Sequence, residues 1–459
     1  MDTFDSKYSV NSLIDKYNIP GPRYTSYPTV PHWNPNSFNL EAWKKSVSAA
    51  FRKSNEISVY IHLPFCESLC TFCGCHKRIT KRHEVEEPYI QTLIKEWELY
   101  LKLFDRTPEI KELHLGGGTP TFFAPEALDH LLTQLFEKAK RAKQYSYSFE
   151  GHPSSTNEAH LSTLKKHGFS RVSYGIQDYN PTVQKAIHRI QTLDQVQNVT
   201  HKARALGYES VGHDLIYGLP LQTLDHIKHT IGLTLKMRPE RIALYSYAHV
   251  PWVKGTGQRG FTEAELPNAQ EKQEQYQWAK KALLQGGYKD VGMDHFALKN
   301  DSLAIAAENG TLHRNFMGYT TERTDLMIGL GMSSISDSWG GFAQNEKDLE
   351  AYTDSVQRDI IPVFRGHLLS EEDLVIRKHI LNIMTRFETH WHSDENQFST
   401  LGDSLERLKG LVDDDLVEIL EAGLRVTKKG EPFIRNVAMA FDQHLHQKTS
   451  EKKRFSMTV

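Results

Sequence analysis

Between residue 57 and about residue 291 the chain alternates short apolar runs with longer segments whose apolar side chains recur at helical spacing. The run 57–63 (Ile-Ser-Val-Tyr-Ile-His-Leu) reads as a buried strand. Further strands are expected at 112–115, 145–150, 171–176, 213–217 and 241–247, with helices at 88–104, 157–167, 193–206 and 224–237. Such alternation predicts an α/β fold, a parallel sheet with helices outside. Six or seven units are visible, fewer than the eight of a closed barrel. An open, partial TIM-like barrel is therefore expected over 56–365.

The flanks follow other rules. Residues 1–55 open polar, pass through Pro20-Gly-Pro-Arg-Tyr-Thr-Ser-Tyr-Pro-Thr29, and lead into a helix at 40–51 capped by Asn39. The prolines and glycine make 20–29 an extended arm. It is either a surface strap or a lid, in which Arg23 serves a carboxylate and Tyr24 and Tyr27 offer faces to a flat ring. Beyond Gly366 the alternation ends. Ser370-Glu-Glu-Asp373 starts a helix carrying Ile376, Ile380, Ile383 and Phe387. Residues 411–441 then read helix, strand, turn, strand, helix, a small winged-helix-like module. Its acidic Asp413-Asp-Asp415 opposes DNA binding, so 366–459 is read as a mostly helical cap with a frayed tail from Gln447.

Composition narrows the function. The 459 residues carry 55 Lys+Arg against 57 Asp+Glu, a net charge of −2, which opposes a nucleic-acid partner. No apolar stretch reaches the roughly 18 residues of a membrane span, and the first residues lack the order of a secretion signal. The only four cysteines are Cys66, Cys70, Cys73 and Cys75. Clustered thiols without outlying partners fit a reducing compartment, the cytoplasm.

Those cysteines lie just past the strand at 57–63, where α/β folds place ligands. Cys-x3-Cys-x2-Cys suits an iron–sulfur cube; a zinc knot or a chance group of buried thiols stays open. Gly116-Gly-Gly-Thr-Pro120 follows the strand at 112–115, and glycines there let backbone approach a ligand or simply turn. Glu150 ends one strand and Asp214 lies within another; a buried carboxylate needs a partner. Gly255-Thr-Gly-Gln-Arg-Gly260 satisfies a dinucleotide fingerprint only as a string, since no strand runs into a helix there.

Cys-x3-Cys-x2-Cys with Phe72 before Cys73, preceded by Tyr60-Ile-His-Leu-Pro-Phe65, resembles the radical S-adenosylmethionine (SAM) superfamily. Cys75 and the Gly-Pro-Arg-Tyr arm resemble one branch of it, the oxygen-independent coproporphyrinogen III oxidases. The resemblance runs from Pro20 to about Leu445 and implies a three-quarter barrel. It implies a 4Fe–4S cluster on Cys66, Cys70 and Cys73, with Cys75 not a ligand and one iron open to the amino and carboxylate groups of SAM. It places Gly117, Gly118 and Thr119 on the SAM methionine, Tyr60, Phe72, Glu150, Ala248 and Ile335 on the first SAM, and Gln177, Arg189 and Asp214 on a second. In Glu150-Gly-His-Pro153 the chain departs from the Val-Asp of better-known members but keeps the Glu.

The implied reaction converts two propionates of coproporphyrinogen III to vinyl groups, giving protoporphyrinogen IX in haem biosynthesis. Arg–carboxylate pairing would orient each acid. Arg23, Cys75 and the basic loop 76–82 are candidates on the substrate side, and Asp294-His295 and 313–321 are expected to line the cavity. An electron donor and an acceptor are implied, with the chain a monomer. The alternatives are a related haem chaperone or a radical SAM enzyme that modifies haem; Cys75 and Arg23 favour the oxidase.

Overall fold

The computed structural model describes residues 10–33, 38–251, 257–258, 260–447 and 455–458. Six strands follow the expected alternation: β1 (Glu56–Leu63), β2 (Glu109–Gly117), β3 (Lys140–Gly151), β4 (Arg171–Gln177), β5 (Ser210–Tyr217) and β6 (Arg241–Ser246). They lie side by side in that order and pair in parallel. β1 is buried along nearly its whole length, as expected for a parallel strand covered on both faces. Helices Glu86–Leu101, Pro125–Glu137, Glu158–Lys166, Leu193–Ala205 and Leu224–Met237 form the connections. Their apolar faces, with Leu93, Trp97, Leu132 and Leu164, close one continuous core with Val59, Leu113 and Phe149.

The sheet is wider than the sequence pattern indicates. Antiparallel β7 (Tyr288–Gly292) and β8 (His295–Leu298) extend it beyond β6. On the other side β9 (Met327–Leu330) pairs in parallel with β1, and β10 (Ile335–Asp337), β11 (Gly341–Asn345) and β12 (Val363–Leu368) continue from it, making twelve strands. β10 and β11 are short and carry Ser, Gln and Asn, so they show no apolar run. Glu96 holds them to the barrel: its carboxylate accepts from Gly331 N at 2.7 Å, Asn345 Nδ2 at 2.6 Å and Tyr352 Oη at 2.6 Å. β12 runs past the expected boundary at 365 and is part of the main sheet.

A second core lies in the C-terminal module, between helices Glu371–Arg386, Leu401–Asp413 and Ile434–Phe441. Its three-stranded sheet adds Glu388–His390 to Gly423–Val426 and Val417–Leu420. The arm completes this core with Leu13, Ile14, Tyr24 and Tyr27. Tyr24 donates to Asp442 Oδ2 at 3.0 Å, and Tyr24 and Tyr27 are 4% and 1% exposed. They are core residues, so the expectation that they offer free aromatic faces as a lid is corrected. The tail also differs from the frayed end expected. Gly21 N donates to Ser456 O at 3.0 Å and Thr458 N to Ile19 O at 2.9 Å; residues 448–454 and 459 lie outside the described residues.

Candidate active site

The cysteines occupy the loop that leaves β1. A one-step pairing of Phe65–Cys66 with Arg78–Ile79 fixes its two ends, and Thr80 N donates to Cys66 O at 2.9 Å. Gly118 N reaches back to Leu63 O at 2.9 Å, and Thr119 N to Phe65 O at 3.0 Å. The glycine turn after β2 is thereby tied to the cysteine loop. Gly117 has φ +115° and lies against the His62 ring, where a Cβ would come within 2.7 Å. At Gly118 a Cβ would meet Pro64 O at 2.5 Å. Both positions require glycine.

Cys66, Cys70, Cys73 and Cys75 carry free thiols on the wall of one cavity of about 250 Å3. The same cavity is walled by Phe72, Gly117, Gly118, Thr119, Glu150, Gln177, Arg189 and Asp214. Twelve of the residues singled out in the sequence, from five chain segments, are thus brought together past the carboxyl ends of β1 to β4 and along β5. Donors face the sulfurs: Thr119 Oγ1 donates to Cys66 Sγ at 3.3 Å and Arg189 Nη1 to Cys70 Sγ at 3.7 Å. Lys77 Nζ bonds the carbonyls of Cys73 and Cys75 at 3.3 and 3.2 Å. Burial pushes the Cys66 thiol up to about 11. The Cys73 thiol is lowered, first by a hydrogen bond from Cys75 and then by Lys77, while Cys75 is raised by the same bond.

Glu150 ends β3 with its carboxylate facing the cavity, accepting from Gly117 N at 3.3 Å. Gln177 ends β4 in the left-handed region at φ 67°, a strained backbone of the kind found at ligand sites. Asp214 accepts from Ser173 Oγ at 2.7 Å, and burial pushes it up to about 7. Its folded value lies above the ordinary 3.8, so the folded state holds the proton more tightly. The stability Asp214 contributes is present at low pH and is lost as pH rises towards about 7. In cofactor-free protein, Asp214→Asn is expected to flatten this part of the stability profile, measured by urea unfolding between about pH 4 and about pH 8; an unchanged slope counts against it.

Glu150 and Asp214 also wall a second chamber of about 140 Å3 inside the barrel, with His114, Arg171, Arg241, Tyr245, His295, Met317, Tyr319 and Thr320. Of the expected lining, Asp294-His295 and 313–321, the residues His295, Met317, Tyr319 and Thr320 wall this chamber, while Asp294 pairs with Arg23. Three sequence candidates stand just behind the thiol cavity or away from it. Tyr60 packs on Gly116 and stacks on His114 at 6.0 Å. Ala248 O accepts from Gln258 Nε2 at 3.0 Å, and that amide also donates to Phe72 O at 3.1 Å. Ile335 opens β10 against Gly329. Arg23 lies outside the thiol cavity, ion-paired with Asp294 and 5.8 Å above the Tyr245 ring. In the basic loop only Lys77 walls the cavity, while Arg78 pairs outward with Glu350. In the dinucleotide-like string, Gly255, Thr256 and Arg259 lie outside the described residues.

Several wall residues were not singled out in the sequence, among them Ser154, Ser155, His188 and His152. His152 lines the cavity beside Glu150, and burial pushes it down to about 3, so its imidazole is neutral. The signal was present: His152 lies two positions past Glu150, directly beyond the end of β3.

The profile of the Radical SAM superfamily matches residues 60–234. The oxygen-independent coproporphyrinogen III oxidase of Helicobacter pylori is 39% identical over 457 residues, spanning 97% of this chain and 98% of that protein. That of Synechocystis is 36% identical over 466 residues, spanning 100% of this chain and 99% of that protein. The chain belongs to the oxygen-independent coproporphyrinogen III oxidase family. The solved structure of the Escherichia coli coproporphyrinogen III oxidase, described as a radical SAM enzyme, superposes with a TM-score of 0.88 at 33% identity. It covers 96% of this chain and 100% of that one.

The site suits the group this family carries. Three free thiols on one wall, with hydrogen-bond donors aimed at two of them, are a cluster donor set rather than a disulfide framework. Across from them, glycine backbone and an open carboxylate suit the ammonium end of SAM.

Proposed function

We propose that the chain carries out the oxygen-independent oxidative decarboxylation of two propionates of coproporphyrinogen III, giving protoporphyrinogen IX in haem biosynthesis. One observation carries the reading: three unpaired thiols, a clash-limited glycine turn and Glu150 converge on one cavity in a chain that matches its relatives end to end. When bound, a 4Fe–4S cluster and SAM supply the reducing electron and a 5′-deoxyadenosyl radical.

The protein's own part is binding, orientation and exclusion of water. Cys66, Cys70 and Cys73 would hold the cluster, with Thr119 and Arg189 steadying the sulfurs. Gly117, Gly118, Thr119 and Glu150 would take the SAM methionine, and Tyr60, Phe72, Ala248 and Ile335 would shape the rest of the first SAM site. Gln177, Arg189 and Asp214 would take a second SAM. Cys75, exposed to the cavity, and Arg23, its charge held by Asp294 beside Tyr245, are proposed on the substrate side. Each propionate loses a hydrogen atom from its β-carbon, then CO2 and one electron, leaving a vinyl group.

The electron leaves to an acceptor, and a separate donor must reduce the cluster. A monomer working in the cytoplasm is the proposed setting; among the described residues no helix is long and apolar enough to cross a membrane. Anaerobic incubation with SAM, a reductant and coproporphyrinogen III is expected to release two CO2 per protoporphyrinogen IX. Haem uptake without CO2 release would overturn the reading in favour of a haem carrier.

A further inference from the structure

His367, Asp373 and His444 come from three separate elements and meet away from the thiol cavity. His367 is on β12, the edge strand of the main sheet; Asp373 is in the first turn of helix Glu371–Arg386; His444 is in the short helix Gln443–Gln447. His444 Nε2 lies 2.7 Å from Asp373 Oδ1, and His367 Nε2 lies 3.8 Å from Asp373 Oδ2. The two imidazole rings are perpendicular with centroids 5.4 Å apart, and the three ligand atoms all fall within 4.8 Å of one another.

We propose that these three residues form a divalent-metal site, suited to Zn2+, that pins the C-terminal module to the edge of the barrel sheet. Hydrogen bonding alone leaves the group incomplete. His367 Nε2 is buried without a hydrogen-bond partner, and 3.8 Å from the carboxylate is too far for one. A cation between the three groups uses that nitrogen. Zinc–nitrogen and zinc–oxygen bonds of about 2.0–2.2 Å in tetrahedral geometry put neighbouring donors about 3.3 Å apart. The observed 2.7 and 3.8 Å bracket that spacing, so an adjustment of about half an ångström brings each histidine–carboxylate pair into range.

The surroundings support the assignment. Asp373 Oδ2 accepts from Ser370 N at 3.0 Å and Ser370 Oγ at 2.9 Å. These bonds fix the carboxylate in the manner of the outer contacts that orient metal ligands. Tyr27 of the arm packs edge-on against His444 at 5.6 Å, so the cluster sits where arm, sheet and module converge. Two imidazoles and a carboxylate are an N/O donor set for zinc and its neighbours in the first transition row. With three protein ligands, a water would complete the coordination.

Co2+ serves as the probe. In full-length protein with Cys66, Cys70, Cys73 and Cys75 all changed to serine, thiol uptake is removed while the three proposed ligands stay. Titration with Co2+ alone is expected to saturate at one equivalent, with visible bands of four-coordinate N/O ligation and no sulfur charge-transfer band. Zn2+ should displace it and raise the melting temperature. His444→Ala should weaken binding at least about tenfold. Because that change also breaks a bond to Asp373, His367→Gln is the second variant; it removes no hydrogen bond and is expected to weaken binding equally. Absence of uptake by the serine protein, or unaltered uptake by His367→Gln, would overturn the proposal and leave a plain hydrogen-bonded latch.

Discussion

Cys70→Ser protein, prepared anaerobically with iron and sulfide, is expected to lose SAM cleavage by at least ~10³-fold, about 4 kcal/mol of barrier. Serine keeps the shape of the loop but offers a hard, weakly acidic oxygen where a soft thiolate is needed. Cys70 lies beside Arg189, whose Nη1 donates to its sulfur, and its backbone carbonyl accepts from Cys73 N at 3.2 Å. Removing one sulfur therefore leaves the other two in place without a third. The measurement is 5′-deoxyadenosine release together with iron and sulfide content. Cys75→Ser is the paired comparison: it should retain iron, sulfide and SAM cleavage. Full SAM cleavage by Cys70→Ser, or loss of the cluster in Cys75→Ser, would contradict the assignment of ligands.

What the sequence announces most clearly is whatever is local. The four cysteines within ten positions, the glycine turn directly after an apolar strand and the 3.6-residue spacing of helix Leu224–Met237 need no distant partner to be read. β3 was seen only from 145 because Lys140–Gln144 is largely exposed and polar, so half the strand carries no apolar signal. β9 to β11 pair with or beyond β1, more than 260 residues away in sequence (Ser58 opposite Met327), and the Asn345 side chain of β11 is held by Glu96. The helix Glu371–Arg386 ends at Phe387 in the left-handed region at φ 60°. An aromatic residue at that position hides the stop that a glycine would mark.

Function-related pairings were hidden for the same reason. Arg23 looks like a free guanidinium until Asp294 is found beside it, 271 residues on. Tyr24 and Tyr27 look like a lid until the C-terminal core closes over them. His367, Asp373 and His444 mean nothing in sequence, because the helix Glu371–Arg386 must fold back before the third joins the first two. The thiols and the glycine turn that wall one cavity were legible as motif; the parts that wait on the closing of the chain were not.

Gly118→Ala tests how tightly the two halves of the cofactor site are coupled. A single methyl group there would lie 2.5 Å from Pro64 O, 2.6 Å from Pro64 C and 3.0 Å from Phe65 O. All three are backbone atoms of the strand end that carries Cys66, so none can rotate aside. The turn must retreat by about an ångström to restore ordinary contact, straining Gly118 N to Leu63 O and Thr119 N to Phe65 O. The Thr119 hydroxyl then withdraws from Cys66 Sγ. A misplacement of that size between reacting groups can cost about 10²-fold, so SAM cleavage is expected to fall by about that factor while the three thiols still take up iron and sulfide. Gly402→Ala, where a Cβ meets nothing within 4 Å, serves as the control and should cleave SAM normally. Wild-type cleavage by Gly118→Ala would mean that the turn and the cysteine loop are not rigidly joined, and that SAM is positioned by other parts of the cavity.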